Sequence, residues 1–365
     1  MKISKDFIGG NISVQSIENI SDNDVCVHLK NEIRDTEGDW FYWAFKVSDA
    51  QGKKVKFIFD EPHRVGYFGA AVSLDLKNWN WVGNAEGESF TYTFGENETE
   101  VYFAHHMLYH PDRFENLCNE LGLQINSFCK TEKGREVPYL EFGDGDKYIV
   151  LTSRHHACES TGDYVLEGVL REISTCESIL KEFKILCVPF VDFDGVVDGD
   201  QGKGRNSHDH NRDYCENESS IYNTTAKIRE FGYKNFVKYS FDFHSPWHKT
   251  GMNDTAFIVH NTLDKERVKA MREFSTLFFN QVSSNDKSFR YYSENDLEYG
   301  VDWNIIREYP GNCSAFFSRR KNNKLAFTLE TAYFGSSDGA NKVSQSNLVE
   351  LGKCFAKTLI EYINK

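Results

Sequence analysis

The 365-residue chain has no run of Lys and Arg dense enough to neutralise a phosphate backbone. It carries 55 acidic against 42 basic residues, a net charge of −13, and so argues against a nucleic-acid partner, whose affinity depends on clustered cations. Its one local cluster, Arg319-Arg320-Lys321 with Lys324 close behind, reads as a solvated loop. Cysteine pairs are missing as well. The nine cysteines are an odd number without CxxC spacing, which fits reduced thiols in a cytoplasm and not a disulfide framework. Long apolar runs are also absent: the strongest, residues 185–191, is strand-sized, and Asp, Gly, Asn and Glu interrupt the first twenty residues, so neither a membrane span nor a signal peptide is expected. No internal repeat or low-complexity segment appears. A soluble, cytoplasmic protein is the expectation.

Between residues 40 and 106 the chain is rich in aromatics in short alternating runs, WFYWAFKV, KKVKFIFD, GAAVSLDL, SFTYTFG and EVYFAH, separated by Gly, Asn and Asp. Period-two alternation at this spacing predicts an antiparallel β-sandwich whose aromatics face inward. After Pro111 the pattern changes to strands alternating with amphipathic helices. Strands are expected at 148–151, 185–190, 235–243 and 325–329. Helices are expected at 162–173, at 226–231 with Gly232 as its stop, behind the cap Asp264, and at 348–363. The reading is a sandwich over residues 1–115 and an α/β domain over 116–365.

Ligand sites in open α/β sheets gather at the carboxyl ends of strands. Past the first predicted strand stands His156-Ala-Cys-Glu159; past the second, DFDGVVDGDQGKGRNSHDHNRDY; at the end of the third, DFH with His244; at the end of the last, TLE with Glu330. Two histidines and a carboxylate are the ligand set of a hydrolytic zinc site. His156 and Glu159 are three apart and share a face if the chain makes one helical turn, but His155 and Cys158 have the same spacing, and spacing alone does not separate the pairs.

These motifs, in this order, resemble the M14 (funnelin) zinc carboxypeptidases, in particular their cytosolic-carboxypeptidase-like branch: HACE at 156–159, VDFDG at 191–195, Arg205, DHNRDY at 209–214, DFH at 242–244 and FTLE at 327–330. The resemblance covers roughly residues 110–365, and the branch places an aromatic β-sandwich ahead of the peptidase domain. It implies a mixed-sheet α/β/α domain binding one zinc ion through His156, Glu159 and His244. Glu330 would be the general base toward the zinc-bound water, whose pKa zinc lowers to about 7. It further implies that Arg205 stabilises the oxyanion, that Asn211 and Arg212 clamp the substrate's terminal carboxylate, that Asp209 accepts a hydrogen bond from a zinc-bound imidazole, and that Tyr309 contacts substrate. Members that trim glutamate use an arginine where this chain has Ser314, so a substrate ending in a non-acidic residue is expected. The expected partner is a peptide or other carboxylate-bearing molecule. Two other readings stay open: an amidohydrolase acting on N-acyl amino acids or cell-wall peptides, and a binding protein that has lost activity.

Overall fold

The structure, a computed structural model, describes residues 1–83, 85–307 and 311–365. Among the described residues, nine strands occupy the first 104 positions, several of them alternating apolar and polar side chains: β1 (Lys2–Ser4), β2 (Ser13–Asn19), β3 (Asp24–Lys30), β4 (Ala44–Ser48), β5 (Lys54–Phe59), β6 (Ala71–Ser73), β7 (Asn80–Trp81), β8 (Ser89–Thr93) and β9 (Glu100–Ala104). They form two sheets, ordered β1-β4-β9-β6-β7 and β2-β3-β5-β8. Val27, Phe45, Phe57, Phe90 and Phe103 fill the space between them, so the aromatic runs are core. One pair departs from the antiparallel expectation: β3 runs parallel to β5, with Asp24 opposite Lys54. The chain reaches that arrangement because β4, between them in sequence, crosses into the other sheet.

The remainder comprises α1 (Pro111–Leu121), β10 (Asn126–Lys130), β11 (Glu136–Phe142), β12 (Lys147–Ser153), α2 (Thr161–Ile173), α3 (Glu177–Glu182), β13 (Phe183–Val188), α4 (Phe193–Asp198), α5 (Asn223–Lys234), β14 (Val237–His244), β15 (Ala256–Val259), α6 (Lys265–Ser283), α7 (Cys313–Ser318), β16 (Leu325–Thr331) and α8 (Gln345–Ile363). Residues 115 and 116 both lie inside α1. The seven-stranded sheet has the order β10-β11-β13-β12-β14-β16-β15, with the central four strands parallel and the outer pairings antiparallel. Alternation sorts its side chains: Ile149, Leu151, Phe241 and Phe327 pack with residues of α2, α6 and α8, whereas Val150 and Leu186 pack with Ile228 of α5 and Phe316 and Phe317 of α7. The mixed-sheet α/β/α layering is as expected.

Two helices approach unusually closely. A Cβ at Gly168 of α2 would lie 2.0 Å from the Val349 carbonyl oxygen of α8, and one at Gly352 of α8 would lie 1.9 Å from the Val165 oxygen of α2. Gly232 also has a packing role, not the expected stop: α5 runs on to Lys234, and a Cβ there would meet Phe316 Cε1 at 2.7 Å.

The order of strands locates the site. The chain leaves β12 to build β13 on one flank, then passes back to build β14 on the other. Connections after β12 and β14 therefore diverge, which opens a crevice at their carboxyl ends. Among the described residues, no helix is long and apolar enough to cross a membrane.

Candidate active site

β12 ends at Ser153, and Arg154 turns the chain with φ of 56°, a left-handed conformation held by Arg154 Nη1 on Asp163 Oδ2 at 2.9 Å. The Glu159 amide then donates to the His156 carbonyl at 3.1 Å, closing the single turn that puts both side chains on one face. His156 Nδ1 lies 2.8 Å from Glu159 Oε1, and His244 Nδ1, at the end of β14, lies 2.7 Å from Glu159 Oε2. All three residues are buried.

The far side of each imidazole meets a carboxylate. His244 Nε2 is 2.7 Å from Asp242 Oδ2, and His156 Nε2 is 3.5 Å from Asp209 Oδ1. Asp209 is itself held by the amides of Gly204 and Asn211, each at 3.0 Å. At these distances each Nδ1–H donates to Glu159, and a metal ion taking the place of those protons would leave Nε2–H groups facing Asp242 and Asp209. His155 is occupied elsewhere: Nδ1 is 2.9 Å from Asp242 Oδ1 and Nε2 is 2.7 Å from the Tyr214 hydroxyl.

Glu330 enters from β16, directly opposite His244 in the parallel register. It lines a cavity of about 380 Å³ with His156, His244, Lys203, Asn211 and Arg212, walled by Trp40, Trp247, Trp303 and Ile305. Burial raises the Glu330 carboxyl, the Glu159 charge adds to it, and nearby cations offset part, leaving it pushed up to about 7. Burial also opposes charge on His244 and Glu159, but here the partners win. Asp242 and Glu159 hold His244 well above its usual value, and His156, Lys203 and His244 hold Glu159 well below its own.

Arg212 and Asn211 both line the cavity; the Asn211 carboxamide is anchored by the Cys313 amide on its Oδ1 at 3.1 Å. Ser314 is buried beside it, its hydroxyl accepting from Thr328 at 3.1 Å, and Thr328 lines the cavity floor. Tyr309 lies outside the described residues.

Arg205 has a different place from the one the motif order implies. Its guanidinium is engaged by Asp35, by Asp192 at 2.5 Å and by Asp200 at 3.4 Å, and its side chain is only 9% exposed. Three carboxylates fix it as a tie between the loop after α4 and the amino-terminal part. The residue that sequence reasoning passed over is Lys203, two positions earlier. Its ammonium donates to Glu159 Oε1 at 2.8 Å and stands 5.9 Å from the centre of the Trp40 ring. The amino-terminal part grips this loop throughout: Asn11 Nδ2 donates to the Gly199 carbonyl at 2.6 Å, Arg34 Nε to Asp200 at 2.8 Å, the Tyr42 amide to Gln201 at 2.9 Å and the Glu37 amide to the Gly204 carbonyl at 2.8 Å.

Among the described residues, two sets of side chains could hold a metal ion, each with ligand atoms within 4.8 Å of one another: His156, Glu159 and His244, or His155, Asp242 and His244. The first fits better, because both nitrogens of His155 are already paired, and His156 lines the cavity beside His244 whereas His155 and Asp242 do not. Two imidazoles and a carboxylate leave a coordination position open to the cavity.

Residues 3–106 match the family model of the cytosolic carboxypeptidase N-terminal domain. The chain is 25% identical to cytosolic carboxypeptidase 1 of Xenopus laevis over 175 residues, which cover 39% of this chain and 14% of that protein. It is 21% identical to cytosolic carboxypeptidase 6 of Mus musculus over 299 residues, 75% of this chain and 54% of that one. The matches thus span about a seventh and about half of these relatives. In fold, the metallo-carboxypeptidase of Pseudomonas aeruginosa, solved in complex with (2-guanidinoethylmercapto)succinic acid, matches 100% of this chain and 99% of its own with a TM-score of 0.75 at 18% identity. The amino-terminal part thus resembles the cytosolic carboxypeptidase N-terminal domain, and the whole chain has the fold of a solved metallo-carboxypeptidase.

Proposed function

We propose that this protein is a zinc-dependent metallocarboxypeptidase that removes a non-acidic residue from the carboxyl end of a peptide, holding one zinc ion with His156, Glu159 and His244. The observation that carries the reading is the convergence of His156 and Glu159 from the β12 turn with His244 and Glu330 from paired strands on one cavity that Arg212 also lines. When bound there, zinc supplies a Lewis acid and lowers the pKa of water to about 7.

The chain's own groups account for the rest. Glu330, with a carboxyl near neutrality, is suited to take a proton from attacking water and pass it to the leaving amine. Arg212 offers a fork for the terminal carboxylate and Asn211 a further donor. Asp209 and Asp242 keep the imidazoles oriented. Ser314 and Thr328, both uncharged, support a neutral terminal side chain, and Trp40, Trp247 and Trp303 provide apolar walls. We place the division between the two parts ahead of α1, since that helix continues through 115 and 116. No two of the nine cysteines are joined in a disulfide, which supports action in a reducing compartment such as a cytoplasm.

The test is hydrolysis of blocked dipeptides bearing each of the twenty terminal residues. Turnover of neutral members should vanish with a chelator and with Glu330→Gln, and full activity under either condition overturns the reading.

A further inference from the structure

Hydrolysis of a peptide places negative charge on the carbonyl oxygen, and a cation or strong donor close to that oxygen is the largest single aid an enzyme can supply. Arg205 does not supply it here, with its guanidinium committed to Asp35, Asp192 and Asp200. Lys203 is built for the role. It stands between two glycines in the left-handed region, Gly202 with φ of 75° and Gly204 with φ of 66°. Gly202 lies so close beneath the His156–Glu159 turn that a Cβ would meet the Ala157 nitrogen at 2.3 Å. The same turn is tied to the loop by the Cys158 amide, which donates to the Gln201 carbonyl at 3.1 Å. From that support the Lys203 ammonium reaches Glu159, and Lys203 itself lines the cavity with His156, Glu330 and Arg212. Trp40 covers its other side.

We infer that Lys203 is a catalytic residue of this enzyme, the cation that binds the carbonyl oxygen of the scissile bond as charge develops on it. The inference rests on the carboxypeptidase reading and deepens it. As the water oxygen bonds to the carbonyl carbon, one proton passes to Glu330 and the carbonyl π pair moves onto oxygen, where Lys203 meets it. The pair returns as the carbon–nitrogen bond breaks; Glu330 delivers its proton to the amine, and ionisation of the new acid leaves a carboxylate and an ammonium.

The experiment compares the zinc-loaded parent with Lys203→Met and Lys203→Arg on the best-cleaved blocked dipeptide, with metal content, thermal melting and affinity for the corresponding phosphonate, a tetrahedral anion. Lys203→Met should keep its zinc and fold, lose about 10²- to 10³-fold in kcat with KM changed less than about threefold, and bind the phosphonate correspondingly more weakly. Lys203→Arg, which keeps the charge, should recover kcat to within about tenfold of the parent. Retained kcat and phosphonate affinity in Lys203→Met overturn the inference, and so does a loss of activity that tracks loss of zinc, which makes Lys203 only a support for Glu159. A parent with no chelator-sensitive turnover defeats the carboxypeptidase reading itself.

Discussion

His244, the last residue of β14, stands directly opposite Glu330 of β16, so a candidate ligand and a candidate base are fixed relative to each other by main-chain register. No loop has to order for the two to meet.

That pairing sets a pH dependence. A carboxyl raised from 4.5 to about 7 is protonated below that range and idle as a base there. Bound metal adds positive charge and pulls the value down, so kcat/KM should rise with pH along a limb between 4.5 and about 7. In chelated protein the raised value means that stability from the neutral form is full below 4.5 and lost as pH rises through about 7. Glu330→Gln should therefore gain thermal stability over the parent at pH 8 more than at pH 4, and an equal effect at both refutes the assignment.

Metal content should separate the adjacent histidines. His156→Ala should emerge from dialysis without zinc. His155→Ala, which removes partners of Asp242 and Tyr214, should lose roughly 1–3 kcal/mol of stability but retain the ion. The reverse outcome would favour the set built on His155, Asp242 and His244.

Arg205→Met leaves Asp192 without its cation in a buried place, while Asp200 keeps Arg34. The expected cost is about 3–5 kcal/mol, read as a lower denaturation midpoint. A variant of unchanged stability and specifically reduced kcat would return Arg205 to the oxyanion role.

Contact between α2 and α8 depends on the absence of side chains at two positions. Gly168→Ala should cost about 1–3 kcal/mol in urea unfolding, since the new methyl would overlap the Val349 carbonyl. An unaffected midpoint would show that the helices separate freely.

Much of this site is legible in the sequence because its parts are local units at strand ends: a one-turn HxxE, a terminal histidine on an alternating strand, a glutamate closing another. Asp264 announces its helix in the same local way, accepting from the Arg267 amide at 3.0 Å. What escapes reading depends on distant partners. The surroundings of Arg205 and Lys203 are set by contacts from residues 11 to 42 and by two left-handed glycines, none of which spacing reveals. β2 is almost wholly exposed and β15 wholly buried, so neither shows the alternation that marks a half-buried strand. The parallel pairing of β3 with β5 follows from which sheet β4 joins, a choice without a local signal.

The grip of residues 11, 34, 35, 37 and 42 on the loop that presents Lys203 has a practical corollary. A gene fragment encoding the peptidase half alone would specify every candidate metal ligand yet release the loop that carries the lysine, and would bury none of the surface that the sandwich covers. Recombination or truncation between the halves should yield metal-binding but sluggish products, so the two halves are expected to be inherited and engineered as one cassette.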